Sequence, residues 1–372
     1  MSDDALTRLL HDTAERVLAD HCDRQVLAAA EEGAWPEPLW RALEESGLTL
    51  ALAPEAAGGA GLSVGDALGL VGAAARHAAP VPFGETVFAT WLLLGAGMAT
   101  APGPMTVAPV MRGDRLVLER AGGGWRLTGT ARRVPWARHA ARVVLLAEAA
   151  EDGGRPMLVV VPRGTAGEVR HGANLAMEPR DDVRFDGTVL PAEAAVAPAG
   201  VGPAAMRAFG AALRIVQIAG ALARALELCV AYAQQRVQFG RPIGRFQAVQ
   251  QNLAALASEA AAAAAAAGLA AEAAGAGCDP LAIGAAKGRA AEAASTGAAI
   301  AHQVHGAIGF TWEYALNFST RRLWSWRDEF GNEAEWYPQL GAAMAAAAAE
   351  DRLWSAISGI GMAASPSPQG SR

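Results

Sequence analysis

The residues with the clearest capacity for chemistry surround a break between two long apolar segments, where Gly240, Pro242 and Gly244 interrupt the chain. Side chains that donate several hydrogen bonds are concentrated at this break: Arg236, Gln238, Arg241, Arg245 and Gln247. Guanidinium groups and helix N-termini are both suited to binding a diphosphate. The pattern predicts an anion-binding site in residues 236–247, here called the arginine loop. Taken alone, this segment could also be an ordinary interhelical loop whose arginines are solvated and bind no ligand.

A second segment, residues 303–310 and here called the glycine turn, begins with Gln303 and contains Gly306 and Gly309. Glycine has no side chain, so the backbone at such a turn can approach a flat or anionic ligand closely. The presence of both segments in one chain favours a ligand site over two unrelated loops.

Two other patterns indicate chemistry less strongly. Gly61-Leu62-Ser63-Val64-Gly65 matches the G-x-S-x-G pattern of a hydrolase nucleophile, which requires a strand before the serine. A glycine-rich loop stands there instead, so Ser63 is better interpreted as a helix N-cap with Asp66. His302 and His305 have i, i+3 spacing on one predicted helix, but no third metal ligand is evident nearby. We therefore expect neither a hydrolase nor a metal site.

Composition excludes several classes of protein. Hydrophobic residues make up 52% of the 372 residues, which is enough apolar material for two or three folded units. The net charge is −6 and the basic residues are scattered, so nucleic-acid binding is not expected. The N-terminus has no apolar signal segment, and the uncharged stretch 86–111 contains too many Gly and Pro residues to span a membrane. We expect a soluble, cytoplasmic protein.

Hydrophobic periodicity divides the chain into helical ends and a β-rich middle. Helical spacing predicts an all-α domain over residues 1–103, and short strands separated by Gly, Pro and Asp predict a β domain over 104–200. Long alanine-rich segments predict a helical bundle domain over 201–362, followed by a disordered tail at 363–372.

The arginine loop and the glycine turn resemble two motifs of the acyl-CoA dehydrogenase family, R-x-x-F-G-x-P-I-x-x-x-Q and Q-x-x-G-G-x-G-F-T-x-E. Residues 58–63 are similar to the family's Gly-Gly-x-Gly-Leu-Ser turn, and residues 127–130 and 183–191 to its strand signatures. The resemblance thus covers nearly the whole chain. It implies an α+β fold with an N-terminal helical domain, a small central β-barrel or sandwich domain and a C-terminal four-helix bundle.

The resemblance also implies an FAD flavoprotein that takes an α-proton and a β-hydride from an acyl-CoA thioester, with the hydride going to flavin N5. Electrons would then pass to an electron-transferring flavoprotein. Matched position by position, the implied FAD-binding residues are Arg236, Gln238, Phe239, Gln247, Gln303 and Gly306. In the family, the loop that carries the first three reaches the FAD of a neighbouring subunit. An oligomer, such as a tetramer, is therefore implied for FAD binding.

Several features of the family's active site are missing. Residues 107–114 replace its longer, flavin-covering T-E-P-x-x-G-S-D loop, and Pro135 stands where a W-I-T segment supplies a hydroxyl. The two usual positions of the carboxylate base hold Gly210 and Phe330. Glu329, one residue before Phe330, is the candidate base for removal of the α-proton.

Two hypotheses follow from these features. The first is a flavin-dependent acyl-CoA dehydrogenase in which Glu329 is the base. The second is a non-catalytic subunit that completes the FAD site of a homologous partner, as in heteromeric actinobacterial enzymes that oxidise steroid side chains and other bulky acyl-CoAs. Neither hypothesis involves nucleic acid or a membrane.

Overall fold

The computed structural model describes residues 3–165, 167–198, 200–312, 314–350 and 352–358, so the expected tail at 363–372 lies outside the described residues. The N-terminal helices are α1 (Asp3–His21), α2 (Arg24–Glu31), α3 (Glu37–Glu45), α4 (Val64–Arg76) and α5 (Phe83–Gly95). Helix α4 starts where the Ser63 hydroxyl accepts a hydrogen bond from the Asp66 N–H at 3.1 Å. The interpretation of Ser63 as an N-cap is confirmed, since the serine satisfies a backbone donor of the first helical turn.

Among the described residues, the middle of the chain forms the strands β1 (Met105–Val107), β2 (Leu116–Ala121), β3 (Gly124–Pro135), β4 (Arg142–Ala149), β5 (Arg155–Pro162), β6 (Val169–Arg170), β7 (Arg180–Leu190) and β8 (Ala195–Val196). These strands pair into one sheet in the order β6-β7-β3-β2-β4-β5-β8, and β1 pairs with β4. Alternate residues such as Leu127, Leu145 and Val159 are fully buried and form a core of their own. This period of two explains why the middle of the chain forms strands.

A β-bulge interrupts the pairing of β3 with β7. Arg132 and Arg133 together lie opposite the single residue Asp182, and Arg133 has a left-handed backbone with φ +53°. Asp182 stabilises the bulge, because its carboxylate accepts the Arg133 N–H at 3.0 Å. Bulges change the direction of the side chains they carry.

The C-terminal part consists of α6 (Pro203–Gln235), a hairpin of β9 (Val237–Gln238) and β10 (Arg241–Pro242), α7 (Gln247–Gly275), α8 (Pro280–His305), α9 (Leu316–Asp328), α10 (Glu333–Ala349) and α11 (Leu353–Ser358). Helix α6 packs against α4, α7, α8 and α9. Small residues set the helix spacing: a Cβ at Gly297 of α8 would lie 2.4 Å from a methyl group of Leu222 on α6. The α+β fold class expected from the sequence is confirmed.

Two helices, α6 and α7, are long and apolar enough to cross a membrane by length and composition alone. Both pack against neighbouring helices, and α6 also carries the buried Arg214 in a network of ion pairs. Core helices of a bundle have the same composition, so the two helices are accounted for by the fold.

Candidate functional site

The arginine loop and the glycine turn lie at the same end of the bundle. The loop begins one turn after Tyr232, since the Arg236 N–H donates to the Tyr232 carbonyl at 2.8 Å. The ring of Tyr232 stacks on His305, the last residue of α8, with ring centroids 4.5 Å apart. Helix α8 runs directly into the glycine turn at Gly306. The fold therefore brings together two segments that are about 60 residues apart in the sequence.

All six residues implied to contact FAD are exposed, and the Phe239 side chain is 92% exposed. In the described part of the chain, the side chains of Arg236, Gln238, Gln247 and Gln303 have no hydrogen-bond or ion-pair partner. No acidic residue lies between Glu227 and Glu259, so the arginine loop presents uncompensated positive charge. The donors that sequence analysis selected are thus free to bind a group outside this chain.

The arginine loop also exposes apolar groups that a monomer would be expected to cover. Phe239 has a left-handed backbone with φ +52°, and Val237, two residues before it, is 54% exposed. In the glycine turn and just after it, Phe310 and Trp312 are 65% and 61% exposed. Exposed aromatic groups beside unpaired arginines suit a ligand or partner with both a flat ring and an anionic group. This donor set fits the diphosphate and the rings of FAD.

His302 and His305 are buried beneath the glycine turn. His302 Nε2 lies 3.0 Å from the Thr320 hydroxyl, and His305 Nδ1 lies 2.9 Å from the Ala301 carbonyl. Burial lowers the pKa of both histidines, which favours neutral imidazoles. Among the described residues, no group of three His, Cys, Asp or Glu side chains could hold a metal ion. The histidines pack the helix end.

A cleft of about 450 Å³ separates the sheet from the bundle. The features in which the sequence departs from the family meet here: Val110 and Met111 of the short β1–β2 loop, Pro135 at the end of β3, and Glu329 and Phe330 after α9 all line the cleft. The two usual base positions are in contact, because a Cβ at Gly210 would lie 2.3 Å from the Phe330 ring. The Phe330 ring therefore packs against Gly210, and neither of the two positions matched to the family's base carries a carboxylate.

Glu329 is held in a buried network of ion pairs. Its carboxylate accepts hydrogen bonds from Arg180 Nε at 2.8 Å, Arg180 Nη2 at 3.1 Å and Arg214 Nε at 2.7 Å, and its side chain is only 12% exposed. Burial raises the pKa of this carboxyl, but the two guanidinium charges and the hydrogen bonds outweigh burial and lower the pKa to about 2. A carboxylate this acidic, with both oxygens engaged, is a weak proton acceptor. The geometry argues against Glu329 as the catalytic base.

The network joins the three structural parts of the chain. Arg214 of α6 also pairs with Glu85 of α5 at 2.9 Å, and Arg180 of β7 also pairs with Glu178 at 3.1 Å. Sequence analysis missed Arg180, Arg214, Glu85 and Glu178. A signal was available for Arg214, because it is the only charged residue in the apolar run 208–223.

The end of β3 offers few backbone donors to a ligand in the cleft. The N–H groups of Arg132 and Arg133 already donate to Asp114 and Asp182, each at 3.0 Å, and Pro135 has no N–H. The chain thus has no free backbone donor at these three positions.

Comparison with known proteins identifies relatives over most of the chain. The model for the acyl-CoA dehydrogenase N-terminal domain matches residues 5–100, and the model for the C-terminal domain matches residues 204–326. Acyl-CoA dehydrogenase IpdE2 of Mycobacterium tuberculosis is 30% identical over 333 residues, which is 85% of this chain and 90% of the relative.

Two solved structures have a similar fold. The Tcur3481-Tcur3483 steroid ACAD G363A variant has a TM-score of 0.82 at 28% identity, covering 94% of this chain and 100% of that chain. The ChsE4-ChsE5 complex from Mycobacterium tuberculosis has a TM-score of 0.78 at 23% identity, covering 91% of this chain and 97% of that chain.

Proposed function

Because the chain belongs to the acyl-CoA dehydrogenase family, we propose that it is the subunit of an FAD-dependent acyl-CoA dehydrogenase that completes the FAD site of a homologous catalytic partner. The assembly would convert an acyl-CoA thioester into its α,β-unsaturated product. FAD, when bound, accepts the β-hydride at its N5. This chain would contribute cofactor contacts, and the partner would contribute the base.

One observation carries the proposal: the Phe330 ring packs against Gly210, so neither of the two positions matched to the family's base offers a carboxylate to this cleft. Removal of an α-proton needs a carboxylate that is free to accept it next to the substrate. Glu329, the neighbouring acid, has a pKa lowered to about 2 and is bound by Arg180 and Arg214. Neither the two matched base positions nor Glu329 would therefore supply a competent base in this cleft.

The arginine loop and the glycine turn supply what the partner's FAD site would require. Arg236 is an exposed cation without a partner among the described residues, so it is available to pair with the diphosphate. Gln303 and Gly306 offer an amide and an open backbone at the same end of the bundle. Phe239, 92% exposed, would be covered on assembly.

The names of the relatives support a bulky acyl thioester as the substrate. The Tcur3481-Tcur3483 variant, 28% identical, is described as a steroid ACAD. Its name contains two protein designations, Tcur3481 and Tcur3483, which suits an assembly of two different chains. We extend both properties to this chain: a heteromer, such as a tetramer, that acts in the cytoplasm on a polycyclic or similarly large acyl-CoA. An electron-transferring flavoprotein would accept the electrons.

The test compares the chain alone with the chain co-expressed with a homologue that retains the base and the T-E-P-type loop. Flavin absorbance of the purified protein and acyl-CoA-dependent reduction of a ferrocenium acceptor are measured for both. We expect a chain that is colourless and inactive alone, and a yellow, active complex. If this chain alone forms a homo-oligomer filled with FAD that turns over at about 1–10³ per second, the conventional self-sufficient enzyme is the correct interpretation.

A further inference from the structure

The β-bulge in β3 directs an unpaired cation at the cleft. Arg133 lies in this bulge with φ +53°, a conformation that is unfavourable for a residue with a Cβ. Asp182 holds it there, accepting the Arg133 N–H at 3.0 Å and also pairing with Arg170 at 2.5 Å. Backbone strain of this kind is often associated with a functional position, where the surrounding structure maintains it.

Arg133 and Arg112 are the unpaired arginines of the cleft. Within the described ranges, neither side chain has a hydrogen-bond or ion-pair partner. The other arginines that line the cleft are engaged, since Arg180 pairs with Glu329 at 2.8 Å and Arg207 with Glu335 at 3.3 Å. Among the described residues, Arg112 and Arg133 are therefore the unpaired cations that the cleft offers to an incoming anion, and the carboxylate of Asp328 is the unpaired anion of the same lining.

The rest of the cleft is largely apolar. Its volume of about 450 Å³ is in the range of small-molecule sites. Apolar lining is contributed by both the sheet and the bundle: Pro109, Val110, Met111, Pro135, Met206 and Phe330. Val110 is 54% exposed, so apolar surface remains available to a ligand. This lining suits a hydrocarbon body.

Arg112 and Arg133 also line a second, adjoining cleft of about 480 Å³, whose other walls include the pairs Arg132–Asp114 and Arg170–Asp182. The two unpaired arginines thus lie at the boundary between a largely apolar cavity and a polar, charged one. A ligand with a charged head and an apolar body fits this division.

We propose that this cleft binds an amphipathic anion, with a carboxylate or phosphate head held by Arg112 and Arg133 and an apolar body lying on Val110, Met206 and Phe330. Neither of the two positions matched to the family's base, Gly210 and Phe330, carries a carboxylate, so the ligand is bound without being oxidised. The site belongs to this chain alone, so it requires neither the partner subunit nor FAD.

Titration calorimetry on the full chain alone tests the proposal, with decanoate, decyl phosphate and 1-decanol as probes below their aggregation limits. We expect at least one of the two anions to bind tightly, and 1-decanol to bind at least tenfold more weakly. The tighter anion identifies the head group as a carboxylate or a phosphate. If neither anion binds, or if 1-decanol binds equally well, the proposal is overturned.

Variants locate the site. Arg133→Asn keeps a residue that tolerates the left-handed conformation, and Arg112→Gln leaves the bulge intact; each should weaken anion binding about tenfold to a hundredfold. Arg126→Gln is the matched control, because Arg126 is exposed on the same strand but does not line the cleft.

An equal loss of anion affinity in Arg126→Gln, or no loss of anion affinity in Arg112→Gln, would refute the assignment of the site. If Arg133→Asn does not fold, Arg112→Gln alone decides. Failure here leaves the proposed partner role untouched, since no flavin or partner is present.

Discussion

The substitution Glu329→Gln separates a structural role of this carboxylate from a catalytic one. In the structure, Glu329 neutralises Arg180 and Arg214, which are 3% and 1% exposed. The amide of Gln carries no charge and would leave both guanidinium groups short of an anion. Removing one partner of a buried ion pair typically costs about 3–5 kcal/mol of folding free energy.

The lowered pKa of Glu329 gives an independent value for the free energy that its ion pairs contribute to folding. The fall of the Glu329 pKa from 4.5 to about 2 corresponds to about 3 kcal/mol of stability at neutral pH. Because the folded pKa is the lower one, this contribution is fully present above pH 4.5 and is lost as the pH falls towards 2. The stability difference between the native chain and the variant should therefore shrink below pH 4.5.

Urea unfolding of the full chain, followed by circular dichroism at pH 7, measures the effect. We expect Glu329→Gln to lower the free energy of unfolding by about 3 kcal/mol. Glu335→Gln is the control, since Glu335 is 58% exposed and pairs with Arg207 at the surface, where such a pair contributes about 0–1 kcal/mol. A variant that unfolds like the native chain, yet abolishes flavin reduction in the loaded assembly, would refute the structural role and restore Glu329 as the base.

Three further predictions concern other parts of the chain. Arg236→Ala should lower flavin retention by the co-expressed assembly about tenfold or more, measured by absorbance after gel filtration, while the unfolding midpoint of the isolated chain stays unchanged. Gly210→Ala should destabilise the chain by about 1–3 kcal/mol in urea, because the new methyl group would lie 2.3 Å from the Phe330 ring, and a simultaneous Phe330→Ala should recover part of the loss. Burial lowers the pKa of Lys287 to about 8, so the unfolded chain binds more protons between pH 8 and 10.5; the stability of the native chain relative to Lys287→Met should rise with pH across that interval.

Local signals in the sequence were sufficient for the helices, the strands and the turn chemistry. Ser63 caps α4 as its spacing predicts, because the N-cap hydrogen bond to Asp66 involves residues three apart. The motifs also identify the arginine loop and the glycine turn as segments. The contact that joins the two segments, between the rings of Tyr232 and His305, was not predicted. Helix caps and loop motifs could be predicted because they depend on residues that are close together in the sequence.

The role of Glu329 could not be predicted in this way, because its partners are remote in sequence. Arg180 and Arg214 are 149 and 115 residues away, and nothing within the segment 324–331 indicates which charges the fold brings to its carboxylate. An acid beside tryptophans suggests a desolvated carboxyl with a raised pKa; two buried guanidinium groups reverse the direction. The same network ties α5, β7 and α6 to the segment after α9, so it stabilises the fold whether or not the cleft is catalytic. Gly210 and Phe330 take no part in these ion pairs, so the architecture that positions the arginine loop does not depend on a carboxylate at either position.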